Sequence, residues 1–346
     1  MISRENNFDL IRLLAALQVA VCHTFQHLHI ADFKQTHILG YGFQGVFCFF
    51  VISGFLIAAA YDRNPRFKQY IRNRLLRIVP ALYIAFVLIV LVLIYFGFIN
   101  FTTIKNPALW AWGFGQLSLF QFYTPDILRQ FGVGAPNGSL WTIPVEFMFY
   151  LFLPLLFLVK KFQMRNIVCI ACMGCSICAN MLITNYGNGG ILCKVVNVSI
   201  VPWLYSFLIG SLLYFNWGRV RYYIEGKAFI YLIIFILYVK FVSHPSYNIS
   251  DFGTLGANLL LALFTISLAY TKPQLGKMLH GFDISYGLYV YHMIIVNIFV
   301  QCGLVGDTKY AIMVLSIAVV ISCISWKFIE QKALRLKYYN ATVNSR

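Results

Sequence analysis

Charge is what this 346-residue chain has least of. Asp, Glu, Lys and Arg make up 11% of it, against 60% apolar residues; a soluble domain is nearer one quarter charged. That scarcity excludes a sizeable water-facing domain and defines a polytopic membrane protein. Acidic residues are scarcer still, 11 against 27 Lys and Arg, for a net charge of +16. Such a surplus marks a nucleic-acid binder only when it gathers on one face. Here the cations are scattered between apolar spans, which excludes nucleic acid as a partner. The first apolar stretch has no small-residue cleavage site, so it reads as a retained helix rather than a signal peptide. No internal repeat is found, whereas many secondary transporters are built from inverted repeats. No linker or shift in composition marks a second domain, and residues 1–346 read as a single membrane domain.

What is present is a series of eleven apolar segments, near 8–28, 39–60, 78–99, 107–123, 140–159, 167–184, 196–215, 228–243, 255–270, 282–303 and 310–328. Basic residues mark the cytoplasmic side of a membrane. They cluster at 61–77 (Arg63, Arg66, Lys68, Arg72, Arg74, Arg77), 160–165 (Lys160, Lys161, Arg165) and 219–227 (Arg219, Arg221, Lys227). Lys272, Lys277 and the tail (Lys327, Lys332, Arg335, Lys337, Arg346), together with Arg4, complete the set. If all eleven segments crossed, the basic loops at 61–77 and 160–165 would lie on opposite sides. Segment 107–123, PALWAWGFGQLSLFQFY, is the shortest, opens with Pro107 and is rich in Trp and Gly. Taken as a re-entrant or interfacial piece on the outer side, it restores agreement among all the loops. The expectation is an all-α transmembrane bundle of about ten crossings with both termini cytoplasmic. The longest outer connection, Thr124 to Ser139, is either a cover over a site or a plain loop.

Within the first segment, Phe8 to Leu28 (FDLIRLLAALQVAVCHTFQHL), Arg12 and His23 have ten residues between them. Eleven helical steps bring His23 to within roughly 20° of the face of Arg12, about 16 Å further along the axis. An arginine deep in a helix costs on the order of 3 kcal/mol on insertion scales and normally faces a partner or a watery cavity. By themselves the two residues leave two readings. Either they look into one functional interior, or Arg12 snorkels to the headgroups while His23 bonds a neighbouring helix. Cys169, Cys172, Cys175 and Cys178 repeat every three residues, as in some iron–sulfur runs. They lie inside an apolar helix, where side chains three apart drift by about 60° each, so they read as packing residues and no metal is expected.

Further stretches carry unusual chemistry for a membrane interior: FFVISGFLI (Phe49 to Ile57), IRNRLLRIVPALY (Ile71 to Tyr83), SLWTIPVEFMFY (Ser139 to Tyr150), ISYGLYVYHMIIV (Ile284 to Val296) and FIEQKALRL (Phe328 to Leu336). Together with DLIRLLAALQVAVCH, and in this order from Asp9 to Glu330, the chain resembles the acyltransferase-3 family of integral membrane O-acyltransferases. These acylate polysaccharides, lipid-linked glycans and other hydroxyl compounds in bacteria. The resemblance implies that Arg12 and His23 match an essential Arg-x10-His pair, Arg74 and Arg77 an Arg-x-x-Arg motif, and Glu146 the glutamate after an LWS-like stretch. Asp9, Ser53, His292 and Glu330 fall on positions that recur in the family. Two positions depart from it: Phe47 and Phe147 stand where acidic residues are common, which implies a different acceptor or lining. No C-terminal hydrolase-like domain, such as some members carry, is expected.

Elementary chemistry agrees with that resemblance. Acetylating a sugar hydroxyl needs a base for the alcohol proton and a cation for the developing oxyanion. An imidazole titrates near neutral pH, and arginine grips phosphates bidentately. The expected reaction moves an acetyl group from acetyl-CoA to a polysaccharide or lipid-linked glycan at the bacterial inner membrane, among membrane lipids. His23, Arg12 and Glu146 would serve the chemistry, and Arg74 and Arg77 the donor phosphates. The plainer reading of Arg74 and Arg77 is anchoring at the membrane surface. Glu146 could orient His23, position the acceptor or pair with an arginine. His292 reads as a buried hydrogen-bonding histidine, and Glu330 as an ion pair beside Lys327 and Lys332. The alternative activity is a transporter or flippase of glycans or lipid-linked sugars, against which the missing repeat argues; thioester turnover by the purified protein separates the two.

Overall fold

The computed structural model describes residues 6–30, 42–279 and 281–343. Arg4, Arg346 and the first three residues of the segment expected at 39–60 lie outside the described residues, as does the side chain of Lys277. Among the described residues every regular element is helical. In chain order these are α1 (Phe8–His27), α2 (Gly45–Arg63), α3 (Phe67–Tyr95), α4 (Pro107–Leu117), α5 (Thr142–Leu158), α6 (Phe162–Tyr186) and α7 (Ile191–Asn197). They continue with α8 (Leu204–Phe215), α9 (Trp217–Ile224), α10 (Ala228–Phe241), α11 (Phe252–Ala269), α12 (Ser285–Gln301), α13 (Thr308–Ser325) and α14 (Gln331–Val343). Seven stretches among the described residues are long and apolar enough to cross a bilayer: Phe8–His27, Gly45–Arg63, Phe67–Tyr95, Gly138–Leu158, Phe162–Tyr186, Phe252–Ala269 and Thr308–Lys337. The protein is therefore a multi-pass membrane protein. The expected segments at 196–215, 228–243 and 282–303 form the shorter helices α8, α10 and α12.

Local chemistry sets several boundaries. Pro202 has no N–H to donate and disfavours helix at the residue before it, so α8 starts at Leu204, eight residues later than expected. At the other extreme α3 begins at Phe67 and takes Arg72, Arg74 and Arg77 into the helix itself. Asn106 caps α4 by accepting from the Ala108 N–H, with Pro107 in the first turn. At 11 residues, about 16 Å, α4 is roughly half the length needed to span hydrocarbon. Asp251 caps α11, accepting from the Thr254 N–H at 2.7 Å. That bond, helped by the Ser250 hydroxyl, holds its carboxyl below the usual carboxylate range.

The chain divides into two compact units, residues 1–18, 38–70 and 145–281 in the first and 19–37, 71–144 and 282–346 in the second. In the first unit α2 is apolar and buried nearly all round, whereas α6 turns most of its length outward. A helix hydrophobic on every face belongs in an interior. The backbones of α2 and α8 touch: a Cβ on Gly54 would lie 1.9 Å from the Phe207 carbonyl oxygen, and one on Gly210 2.0 Å from that of Val51. Glycine on both sides permits the close approach, as small residues do between membrane helices. Phe8, Phe55, Trp217 and Tyr270 form an aromatic cluster with ring centroids 4.7–6.0 Å apart. The four cysteines of α6 diverge as the helical geometry requires: Cys169 is buried, Cys175 and Cys178 exposed.

Candidate active site

In the second unit α12 meets several other segments through polar contacts. Its start is fixed by Asp283, whose Oδ1 accepts from the Ser285 N–H at 3.1 Å and the Ser285 hydroxyl at 2.5 Å. The other oxygen, Oδ2, accepts from Nη2 of Arg77 on α3 at 2.5 Å. Nη1 of Arg77 lies 3.7 Å from Oε2 of Glu330. Between α13 and α14 the chain makes one wide turn with π-helical bonding, Trp326–Glu330, a form that recurs at functional sites. It carries Glu330 inward to 2% exposure, where the Ser325 hydroxyl donates to Oε1 at 3.1 Å. Arg77 also lies over the rings of Tyr286 and Trp326, 5.8 and 5.7 Å from their centroids.

Seven residues into α12, about 10 Å along its axis, stands His292, 0% exposed. Its Nε2 is 3.0 Å from Nδ1 of His23 on α1, and its Nδ1 is 3.0 Å from the Leu288 carbonyl oxygen one turn back. His23 is partly accessible. The Tyr289 ring meets His292 edge to face. The Tyr289 hydroxyl donates to the Ser139 carbonyl at 2.8 Å and lies 2.7 Å from the Thr142 hydroxyl, which fastens the Ser-Leu-Trp-Thr stretch to the same helix.

The connection Thr124 to Ser139 is stitched to the far half of α12. Asn297 accepts from the Val133 N–H at 2.8 Å and donates to the carbonyls of Ala135 and Pro136 at 2.9 and 3.1 Å. Gln301 accepts from the Gly132 N–H at 2.8 Å, and Asn137 donates to the Val290 carbonyl at 2.8 Å. Gly132 has φ +55°, and a Cβ there would lie 2.0 Å from the Asn297 side chain. Only glycine fits this turn.

The first unit holds Asp9, Arg12, Ser53 and Glu146 in two groups. Arg12 and Asp9, one turn apart on α1, form an ion pair at 3.5 Å. Glu146 on α5 accepts from the Ser53 hydroxyl of α2 at 3.1 Å and from the Tyr150 hydroxyl, two hydroxyl partners where an arginine was one expectation. The structure thus brings together Asp9 with Arg12, Ser53 with Glu146, His23 with His292, and Arg77 with Glu330.

Two residues meet partners that the sequence does not name. Arg77, expected at donor phosphates, has its guanidinium engaged by Asp283 and Glu330. Glu330, expected to pair with Lys327 and Lys332, instead faces Arg77, because the wide turn points it inward while both lysines lie over the Phe328 ring. Asp283, Tyr150, Tyr289 and Asn297 are not singled out by the sequence reading. Tyr150 could have been found from its position one turn after Glu146, and Asp283 from its place two residues before Ser285, an Asx-turn spacing.

Imidazoles, guanidinium groups and carboxylates kept inside apolar helices mark a functional interior. The chain belongs to the acyltransferase family whose acyltransferase domain it matches over residues 5–328. It is 31% identical to nodulation protein 10 of Rhizobium leguminosarum bv. viciae, over 96% of this chain and 94% of that protein. With an O-acetyl transferase of Shigella phage Sf6 it shares 26% identity, over 96% of each chain. A peptidoglycan O-acetyltransferase of Listeria monocytogenes is 24% identical over 84% of this chain, which spans 51% of that longer protein. No solved structure matches the chain.

Proposed function

We propose that this protein is an O-acetyltransferase of the bacterial inner membrane, moving an acetyl group from acetyl-CoA to a hydroxyl of a cell-surface or secreted polysaccharide. The observation that carries this reading is the His23–His292 pair, an accessible imidazole hydrogen-bonded to a buried one inside apolar helices. In the step proposed, Nε2 of His23 takes the proton of the acceptor hydroxyl, and the hydroxyl oxygen attacks the thioester carbonyl carbon. The C–S bond then breaks, and the proton on His23 passes to the departing CoA sulfur. Arg12, about 16 Å along α1 from His23, would serve donor binding and turnover, and Glu146 would position the acceptor. Arg74, near the basic end of α3, would hold the donor phosphates, with Arg77 bracing that end of the helix. The relatives named as O-acetyltransferases support the acyl group chosen.

The test is acetyl transfer itself. Purified protein should release CoA from acetyl-CoA, and mass analysis of the surface glycan should show an acetyl increment that vanishes without the gene. Arg74→Ala should raise KM for acetyl-CoA by about tenfold with kcat nearly unchanged, since a phosphate contact is made equally in ground and transition states. Glycan passage unaffected by acetyl-CoA, with no CoA released, would instead identify a transporter.

The same reading includes ten crossings, α4 excluded, with both termini cytoplasmic. Within the second unit two ends support this. One gathers Arg72, whose guanidinium donates to the Leu336 carbonyl, with Arg77, Asp283 and Glu330. The other gathers Leu28, whose carbonyl accepts from the Gly306 N–H at 2.7 Å, with Asn297 and the connection it holds. Cysteines placed at Lys105 and Arg129, in a chain freed of its native cysteines, should both label from outside. Labelling from opposite sides would mean that the intervening segment crosses.

A further inference from the structure

We infer that His292 is a positioning residue: it fixes the tautomer of His23 so that the Nε2 of His23 is left as a lone-pair base. The inference rests on the proposed role of His23 and follows from which atoms can donate. A carbonyl oxygen only accepts. The Leu288 carbonyl lies 3.0 Å from Nδ1 of His292, so that nitrogen carries the proton. A neutral imidazole has one N–H and one acceptor nitrogen, so Nε2 of His292 is the acceptor. It lies 3.0 Å from Nδ1 of His23, which must then donate. The chain of bonds runs in one direction, from His23 through His292 to the backbone of α12, and the proton-free nitrogen it leaves is Nε2 of His23.

The two rings differ in access as this division of labour requires. His292 is 0% exposed and, with both nitrogens bonded, cannot reach a substrate. His23 keeps part of its surface accessible. The support is itself fixed, since Tyr289 packs edge-on against His292 and is held through its hydroxyl to Ser139 and Thr142. In hydrolytic triads a carboxylate holds the base histidine in its working tautomer, and losing that control costs about 10⁴ in kcat. Here a neutral imidazole fills the same office, without burying a charge in the apolar interior.

The test combines a spectroscopic and a kinetic arm on the full chain. Solid-state nitrogen NMR of histidine-labelled protein in lipid bilayers, with His23→Ala used to identify the signals, should find the His23 proton on Nδ1 and the His292 proton also on Nδ1. A proton on Nε2 of either ring overturns the proposal. In acetyl-CoA turnover, His292→Leu removes the acceptor at similar volume and should lower kcat by about a hundredfold or more, with KM for acetyl-CoA within about twofold. His292→Gln returns a carbonyl acceptor at the reach of Nε2 and should recover kcat to within about tenfold of the wild type. Wild-type kcat in His292→Leu beside an inactive His23→Ala overturns the positioning role while leaving the base assignment standing. Turnover retained by His23→Ala overturns the base assignment, a failure distinct from the first.

Discussion

His23→Ala is expected to insert, accumulate to normal levels and turn over acetyl-CoA about 10³-fold more slowly, within the range general-base catalysis contributes. Stability should fall only modestly: His23 is only partly buried, and the one bond lost is that to Nε2 of His292. That unmet bond costs about 1–3 kcal/mol, too little to unfold a bundle of this size. The neighbouring histidines offer no relief. The ring of His27 is centred 5.9 Å from that of His23, a full turn further on, and His29 lies past the end of α1. His27→Ala should therefore leave turnover within a few-fold of the wild type, an estimate that rests on its lacking the bond to His292. The measurement is CoA release by purified protein, with glycan acetylation in cells as the second readout. A well-expressed His23→Ala protein that acetylates fully would remove His23 from the chemistry.

Arg77→Ala is expected to fail in a different way, by loss of stability rather than of donor affinity. One guanidinium there meets Asp283 at 2.5 Å and Glu330 at 3.7 Å. Those partners anchor the start of α12 and the wide turn after α13. Removing one partner of a buried ion pair leaves uncompensated charge and costs about 3–5 kcal/mol. Two carboxylates would lose their guanidinium partner here. The midpoint of thermal unfolding in detergent should drop by roughly 5 °C or more, and less protein should accumulate. Arg77→Lys should recover part of the loss, since it keeps the charge but not the fork that serves both carboxylates. Glu330→Gln should be milder, because the Ser325 hydroxyl can still donate to its oxygen. An Arg77→Ala protein of unchanged Tm with a raised KM for acetyl-CoA would return Arg77 to the donor phosphates.

Much of the architecture is legible before any coordinates, because the bilayer imposes it. Apolar run length and the placement of basic residues mark helices and loops, and α4 stands out from its Pro and Gly content. The helix ends are less legible: Pro202 shortens one helix, and nothing in the basic composition of 67–77 separates a loop from the start of α3. The candidate residues themselves are visible as polar groups in apolar surroundings. Their pairings are not. His23 and His292 are 269 positions apart, and helical periodicity gives a face without naming which distant helix it meets. The same limit hides Asp283 from Arg77, 206 positions away. Glu330 shows the same limit: Lys327 and Lys332 are its neighbours in the chain, but its carboxylate meets Arg77.

The reciprocal glycines of α2 and α8 also bear on how this chain can vary. A larger residue in a packed core is commonly accommodated by trimming the side chain it strikes. At Gly54 and Gly210 the obstacle is the facing carbonyl group itself, and no substitution makes a peptide unit smaller. Second-site repair by shrinking a neighbour is closed at these two positions. Change there is accommodated only by separating the helices, which also breaks the bond from the Ser211 hydroxyl to the Gly54 carbonyl. Ser53, the residue before Gly54, donates to Glu146. Drift at the helix crossing is therefore constrained by the carboxylate it would displace as well as by packing.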